Sequence, residues 1–161
     1  MNILITGARD SGKTALAREL SKRLKGCGGI YTEASYLRGR KSVYHAVHVL
    51  DGTKRTLLTL TKNGPRPDLR GFVFAQAALA MSKNMRAIML DEFGPLEASG
   101  TGFRTALNNL IPVYRGNWII TTRKTLLFTV IDLFGFSDFE LIDMDVTDLD
   151  TALRKTTCLL K

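Results

Sequence analysis

The stretch Gly7-Ala8-Arg9-Asp10-Ser11-Gly12-Lys13-Thr14 directly follows the apolar run Asn2-Ile3-Leu4-Ile5-Thr6 near the start of this 161-residue chain. It has the form G-x-x-x-x-G-K-[ST], in which the glycines allow backbone N–H groups to turn inward around an anion. Leu16, Leu20 and Leu24 then recur at helical spacing. The loop therefore has the preceding strand and following helix that a phosphate-binding motif requires.

This loop predicts a nucleotide-binding site with distinct roles for its last residues. Lys13 supplies a cation for the β- and γ-phosphate oxygens, and we predict a catalytic role for it. The Thr14 hydroxyl group is predicted to bind Mg²⁺. The predicted nucleotide-binding residues are Gly7, Ala8, Arg9, Asp10, Ser11, Gly12, Lys13, Thr14 and Ala15.

A second apolar run, Ile88-Met89-Leu90, ends in the two acids Asp91 and Glu92. Open α/β sheets bind ligands at the carboxyl ends of their strands, which is where these acids are expected. Asp91 is predicted to hold Mg²⁺ through a coordinated water, and Glu92 to orient and deprotonate the attacking water. Glu97 returns to the same rim after Gly94-Pro95, where a metal contact, a water network and a structural role all remain open.

The segment Thr121-Thr122-Arg123-Lys124 ends another predicted strand and is expected near the same edge. Arg123 could stabilise charge on the transferring phosphoryl group, as an arginine finger supplied in cis does. The alternative is a surface cation at the loop, and the sequence does not separate the two. We include Arg123 with Lys13 and Glu92 as candidate catalytic residues.

Composition limits the class of protein. At 161 residues and 45% hydrophobic content, the chain suits one globular domain, residues 1–161, with a full core. No apolar run has the length of a transmembrane helix, and charges interrupt the first run from Arg9 onward, so we expect no membrane segment and a cytoplasmic location. Cys27 and Cys158 lack metal-ligand spacing and are expected to stay reduced.

The net charge of +8 indicates anionic partners. Nucleoside triphosphates are the predicted partners. Nucleic acid remains open but is not favoured, because no recognisable nucleic-acid module is present. The sequence gives no indication of the oligomeric state.

Strand and helix patterns alternate along the chain, which predicts a three-layer α/β fold with a mainly parallel sheet. Asp51-Gly52 between two β-rich runs predicts an inserted β-hairpin. The segment 63–68 is predicted to be irregular, since it contains two prolines and a glycine. Predicted strands cover 2–6, 43–50, 54–60, 86–92, 117–122 and 139–144, with a further strand beginning at Ile30. Predicted helices cover 15–24, 75–83, 103–113, 126–134 and 148–160.

The order of these features resembles the thermophile-type and cancer-related nucleoside-triphosphatase family of P-loop NTPases. The phosphate loop and the segment Asp91-Glu92-Phe93-Gly94-Pro95-Leu96-Glu97, which matches the family pattern Asp-Glu-x-Gly-Pro-x-Glu, carry the likeness. More weakly, 29–52 and 140–160 are similar to the family's second and closing blocks. The resemblance implies a RecA-like P-loop fold and Mg²⁺-dependent hydrolysis of nucleoside 5′-triphosphates to diphosphate and phosphate.

The chain departs from the family pattern within the phosphate loop. The family usually has Pro-Gly where this chain has Arg9-Asp10, and a second Thr where it has Ala15. Residues 41–44 also diverge from the Gly and Phe that the family tends to carry. Triphosphate affinity and substrate range are therefore expected to differ.

Two other functions remain open from the sequence. A small-molecule or nucleotide kinase would use 63–70 as a lid, with Arg38, Arg40 and Arg66 as phosphate clamps. Against it, Glu92 fits water activation, and no acceptor motif is evident. A nucleotide-dependent accessory protein would use hydrolysis as a timer and its basic surface for docking. The absence of an Asn-Lys-x-Asp sequence disfavours a dedicated GTPase.

Overall fold

The computed structural model describes residues 1–160, and in this range eight strands form one sheet flanked by helices on both faces. Strands β1 to β8 span Asn2–Thr6, Cys27–Leu37, Arg40–His48, Lys54–Thr61, Gly64–Pro67, Ala87–Phe93, Asn117–Thr122 and Phe139–Asp143. Helices α1 to α6 span Lys13–Arg23, Leu69–Met81, Pro95–Ala98, Arg104–Leu110, Leu127–Phe134 and Leu149–Leu159. The predicted α/β fold is confirmed.

The sheet has a parallel half and an antiparallel half. Its strand order is β5-β4-β3-β2-β6-β7-β1-β8. From β2 to β8 every pair is parallel, and from β2 to β5 every pair is antiparallel. The predicted hairpin is the β3–β4 pair, which turns at Asp51-Gly52. It extends the parallel sheet on one side, as expected.

The central strands are apolar on both faces because each face is covered by helices. On one face Ile3, Met89 and Ile119 pack in a core with α1 and α6. Neighbouring residues such as Leu4 and Leu90 point to the other face, where α2, α4 and α5 contribute to a second core. This alternation produces the three layers and leaves the carboxyl ends of the strands free to carry polar groups.

The prediction of irregular structure over 63–68 is wrong. Gly64–Pro67 forms β5, with Pro65 paired to Leu60 and Pro67 paired to Leu58. Proline lacks the N–H that a central strand needs, but β5 is the outermost strand and has no neighbour beyond it. The edge position therefore allows a strand that the proline content argues against.

Helix α2 begins earlier than the predicted 75–83. Asp68 caps its first turn, where its side chain accepts hydrogen bonds from the N–H groups of Arg70 and Gly71. At Gly71 a Cβ atom would collide with the backbone carbonyl oxygen of Thr56, so this glycine permits close packing on β4 rather than breaking the helix. Segment 63–70 is thus β5 and the start of α2, not a loop that could act as a kinase lid.

Strand β2 is also longer than the sequence indicates. It begins at Cys27 and includes Gly29, where a Cβ atom would collide with the Met89 carbonyl oxygen of β6. Of the possible phosphate clamps, Arg38 lies in the turn after β2, whereas Arg40 already belongs to β3. The remaining helices and strands differ from prediction mainly at their ends, where assignments vary by a residue or two, and α3 adds one short helix.

Beyond Ile30, β2 continues past the end of its pairing with β6. The antiparallel strands β2 to β5 therefore project past the carboxyl edge of the parallel sheet and form one wall of a cavity there. No helix within residues 1–160 is long and apolar enough to cross a bilayer.

Candidate active site

The phosphate loop connects β1 to α1 in a conformation that its glycines permit. Gly7 has a φ of 148° and Gly12 a φ of 96°, both outside the range that side chains favour. The Lys13 ammonium group lies across the loop and donates to the carbonyl oxygens of Gly7 (2.9 Å) and Ala8 (2.5 Å). Burial lowers the pKa of Lys13, while the carboxylate of Glu92 acts in the opposite direction.

The two unusual residues of the loop, Arg9 and Asp10, point outward. Their side chains are 68% and 64% exposed, so they do not fill the space inside the turn. Asp10 has a φ of 63°, which explains why a glycine suits this position in the family pattern. Its carboxylate forms an ion pair with Lys41 of β3, and the hydrogen bond from Lys41 lowers the pKa of Asp10. Strand β3 therefore contacts the phosphate loop directly.

The segment after β8 supports the other side of the loop. The backbone N–H of Ala8 donates to Asp145 Oδ1 over 2.8 Å. Lys124 bridges Asp145 and Asp143, with 2.8 Å from its Nζ atom to each carboxylate. These contacts connect the loops after β1, β7 and β8 at the carboxyl edge of the sheet.

Asp91, at the end of β6, is completely buried and held by four hydrogen bonds. Its Oδ2 atom accepts from the N–H (3.0 Å) and the hydroxyl group (2.7 Å) of Thr32. Its Oδ1 atom accepts from Thr121 Oγ1 (2.6 Å) and from Thr14 Oγ1 (3.4 Å). The structure thus brings the two predicted metal residues, Thr14 and Asp91, into contact and fixes the carboxylate on both oxygens.

A hydroxyl and a carboxylate are the kinds of oxygen ligand that Mg²⁺ takes. Mg²⁺ commonly binds through one or two protein groups together with substrate phosphates. Within residues 1–160 no group of three or more His, Cys, Asp and Glu side chains is arranged to hold a metal. The Thr14–Asp91 pair fits an ion that arrives with a phosphate ligand.

Glu92 adopts a left-handed backbone conformation, with a φ of 66°. The pairing of β6 with β7 is interrupted between Leu90 and Phe93, and the N–H of Glu92 donates instead to Thr121 Oγ1 over 2.7 Å. The interruption turns the Glu92 side chain into the cavity, where it is accessible although protein surrounds most of it. This desolvation, and next the charge of Asp91, raise the pKa of Glu92. Such local strain is typical of functional sites.

Arg123 and Glu97 lie at the same cavity but differ in their contacts. Arg123 is exposed and lines the cavity together with Lys13 and Glu92. Glu97 is 3% exposed, and its two oxygens accept from the N–H groups of Gly94 (3.0 Å) and Phe103 (3.1 Å). Of the three roles left open for Glu97, these contacts support the structural one.

One cavity of about 940 Å³ unites these groups. It is lined by the loop residues from Arg9 to Ala15 and by Glu92 and Arg123, whereas Gly7, Ala8 and the buried Asp91 do not line it. Four contributions to the site were not predicted from the sequence, namely those of Thr32, Lys41 and Asp145 and the role of Thr121 in holding Asp91. Only the strand order could have revealed them, because each lies on an element that neighbours the predicted site in space rather than along the chain.

A family model described as NTPase matches residues 2–155. The chain belongs to this NTPase family. Its relatives include nucleoside-triphosphatase THEP1 of Methanothermobacter thermautotrophicus, 30% identical over 122 residues that cover 69% of this chain and 70% of that protein. The THEP1 protein of Thermotoga maritima is 25% identical over an alignment of 169 residues, covering 100% and 96%. The resemblance read from the phosphate loop and the Asp91–Glu97 segment is confirmed.

Solved structures share the fold of this NTPase-family chain. The crystal structure of THEP1 from the hyperthermophile Aquifex aeolicus superposes with a TM-score of 0.77 at 20% identity, covering 100% of this chain and 99% of that one. The solution structure of a human cancer-related nucleoside triphosphatase gives 0.74 at 22% identity, covering 98% and 96%. At these identities the likeness supports the P-loop NTPase fold.

Proposed function

We propose that this chain binds a nucleoside 5′-triphosphate with Mg²⁺ and hydrolyses it to the diphosphate and phosphate. The observation that carries the proposal is the contact of Thr14 with Asp91 beside Glu92, at the end of a cavity that the phosphate loop also lines. Curated relatives are named nucleoside-triphosphatases, which agrees with it. The cytoplasmic location expected from the sequence stays a prediction.

The phosphate loop and the start of α1 hold the triphosphate. N–H groups of the loop and the positive end of the helix dipole face the phosphates. The Lys13 ammonium group exchanges its carbonyl contacts at Gly7 and Ala8 for β- and γ-phosphate oxygens. A carbonyl-bound lysine already lies where the anion is expected, so little rearrangement is needed.

Thr14 and Asp91 hold the metal, with Asp91 acting through a coordinated water. When bound, Mg²⁺ neutralises the charge that develops on the β- and γ-phosphate oxygens. Thr32 and Thr121 fix the Asp91 carboxylate, so its orientation does not depend on the ligand. Together with the N–H of Thr32 and the hydroxyl of Thr14, these donors engage both oxygens of the buried carboxylate.

Glu92 positions the attacking water and accepts its proton. The water oxygen forms a bond to the γ-phosphorus as the bond to the β–γ bridging oxygen breaks, and the nucleoside diphosphate leaves. The Thr121 hydroxyl fixes the backbone of Glu92, whose side chain lines the same cavity as the phosphate loop. Arg123 lines the same cavity, and its proposed role is to stabilise charge on the transferring phosphoryl group.

Replacement of Glu92 by glutamine tests this function. The amide keeps the shape of the carboxylate but cannot accept a proton, so kcat should fall by roughly 10²–10⁴-fold while nucleotide affinity changes little. Glu19→Gln is the matched control, because Glu19 pairs with Lys22 on the surface of α1 away from the cavity. Phosphate release by Glu92→Gln at the wild-type rate would refute the proposed mechanism.

The three arginines proposed as phosphate clamps of a kinase do not line the cavity. Pro65 and Pro67 of β5 line the cavity, and Arg66 between them faces the opposite side of the strand. Arg38 and Arg40 are likewise absent from the cavity wall. None of the three predicted clamps is therefore placed to hold a phosphorylated acceptor.

A further inference from the structure

The cavity continues past the phosphate loop to an apolar end. Its total volume of about 940 Å³ lies at the upper end of the range for small-molecule sites. Strand β4, strand β5, helix α2 and the loop before α4 form the apolar end. The lining residues there are Leu57, Leu58, Pro65, Pro67, Phe72 and Phe103.

The apolar end lies on the γ-phosphate side of the site. In a phosphate loop of this type the backbone N–H groups hold the α- and β-phosphates, and the lysine reaches the β- and γ-phosphates. In the proposed function Glu92 activates the water that attacks the γ-phosphorus, and Thr14 and Asp91 would hold the metal beside it, so the two acids mark the γ side. The apolar wall is on the β2–β5 side of these acids, whereas β1 and the phosphate loop are on the other side. A group bound there faces the γ-phosphorus from the direction of Glu92.

The cations in the cavity are confined to its phosphate end. The cations that line it are Arg9, Lys13, Arg18, Lys41 and Arg123, none of which belongs to the elements of the apolar end. Lys41 is paired with Asp10, and the oxygens of Glu97 are engaged by backbone N–H groups. A ligand of the apolar end therefore meets no free charge, which selects against phosphorylated or carboxylated molecules.

The shape of the apolar end favours a ring. The rings of Phe72 and Phe103 lie 5.4 Å apart between centroids, tilted by 37°. Phe72 is half-buried, so part of its ring remains available to a ligand, whereas Phe103 is anchored in the core. Aromatic pairs with this spacing readily accept a third ring at an offset or edge-on angle.

We propose that the apolar end is an acceptor site for an uncharged, ring-containing alcohol, whose hydroxyl group takes the γ-phosphoryl group in place of water. The inference rests on the proposed function, since it needs a triphosphate held by the phosphate loop. The hydroxyl oxygen forms a bond to the γ-phosphorus as the bond to the β–γ bridging oxygen breaks. The hydroxyl proton passes to the Glu92 carboxylate, and the products are a phosphate monoester and the nucleoside diphosphate.

The test supplies benzyl alcohol as the acceptor and glycerol as a polar control, each with Mg-ATP. Diphosphate and inorganic phosphate are quantified separately, and ³¹P NMR identifies the ester. With benzyl alcohol, diphosphate should exceed inorganic phosphate by the amount of benzyl phosphate formed, and glycerol should give far less ester. Saturation-transfer NMR should show benzyl alcohol bound both with and without a non-hydrolysable ATP analogue.

Substitutions in the apolar end test whether ester formation depends on the residues that line it. Phe72→Ala should lower the ratio of ester to inorganic phosphate by about tenfold. This factor corresponds to the binding free energy lost with one aromatic contact and part of the buried ring surface. Leu58→Lys places a charge at the apolar end and should lower the same ratio. Because it changes a different residue, a matching effect would show that the result for Phe72→Ala does not come from misfolding. Phe128→Ala is the control, because Phe128 is 77% exposed on α5 outside the cavity.

The outcomes separate this inference from the proposed function. Hydrolysis without any benzyl phosphate would overturn the acceptor site and leave the hydrolase intact. Displacement of benzyl alcohol by the ATP analogue would also overturn it, because the apolar end would then belong to the nucleoside. Absence of both hydrolysis and ester formation would overturn the proposed function itself.

Discussion

The hydroxyl group of Thr121 donates to Asp91 over 2.6 Å and accepts the backbone N–H of Glu92 over 2.7 Å. One side chain on β7 thus fixes both acids at the end of β6. Asp91 is held as the end of a straight strand, whereas Glu92 is displaced from the sheet into the cavity. The adjacent carboxylates thereby obtain different environments, and in the proposed mechanism Asp91 would hold the metal while Glu92 would accept the proton.

Thr121→Val should therefore damage stability and catalysis together. Valine keeps the shape of threonine but leaves the Glu92 N–H without its partner, and Asp91 Oδ1 keeps only the longer hydrogen bond from Thr14. Each unsatisfied group costs about 1–3 kcal/mol, so unfolding in urea should show a loss of at least about 1–2 kcal/mol and kcat should fall. Thr121→Ser retains the hydroxyl and should recover most of both. If valine matches serine in both measurements, this hydroxyl does not organise the acids.

Thr14→Ala should weaken binding of the metal complex specifically. Alanine is well tolerated in the first turn of a helix, so the fold of α1 should persist. Groups that only orient metal ligands are worth about 10–100-fold in metal affinity, so loss of a direct ligand should cost at least about tenfold. Calorimetric titrations with Mg-ATP and with ATP in EDTA measure this, and Thr14→Ser is the control. Equal losses under the two conditions would argue against metal binding by Thr14.

The sequence correctly predicted those structural features that are determined by a few consecutive residues. The phosphate loop, the acids after 88–90 and the hairpin turn at Asp51-Gly52 each depend on a few consecutive residues, and the structure has them where the sequence indicates. The boundaries of the helices and strands were predicted less accurately. For example, the start of α2 is determined by capping by Asp68 and by packing of Gly71 against β4.

The remaining features depend on which strands are neighbours. Thr32 reaches Asp91 because β2 pairs with β6 only as far as Ile30 and then continues past it. Strand β5 exists because it lies at the edge, where prolines are tolerated. Neither fact is encoded near the residues concerned, so a single sequence read locally does not show them.

The contact between Asp10 and Lys41 is expected to tune nucleotide affinity. Lys41→Met leaves the Asp10 carboxylate in the phosphate loop with only the Arg9 guanidinium group 4.0 Å away, so its charge repels the triphosphate more strongly. Exposed ion pairs are worth about 0.2–1 kcal/mol, so ATP affinity should fall by no more than about fivefold, and less in high salt. Adding Asp10→Asn to Lys41→Met should restore the affinity. If the change in ATP binding free energy of the double variant equals the sum of the changes in the two single variants, the ion pair is not coupled to ATP binding.

The left-handed backbone of Glu92 is expected to lower the stability of the protein at a residue that it needs for activity. A left-handed conformation costs a residue with a side chain about 1–2 kcal/mol, and glycine avoids this cost while losing up to about 1 kcal/mol more chain entropy on folding. Glu92→Gly should therefore be more stable than Glu92→Ala by about 0.5–1 kcal/mol in urea unfolding, because φ is 66° at this position. Both variants lack the carboxylate and should release phosphate slowly. Comparing glycine with alanine isolates the backbone, since neither retains the charge next to Asp91. Equal stability of the two variants would mean that the strained conformation is not retained, and full activity in either would remove Glu92 from the mechanism.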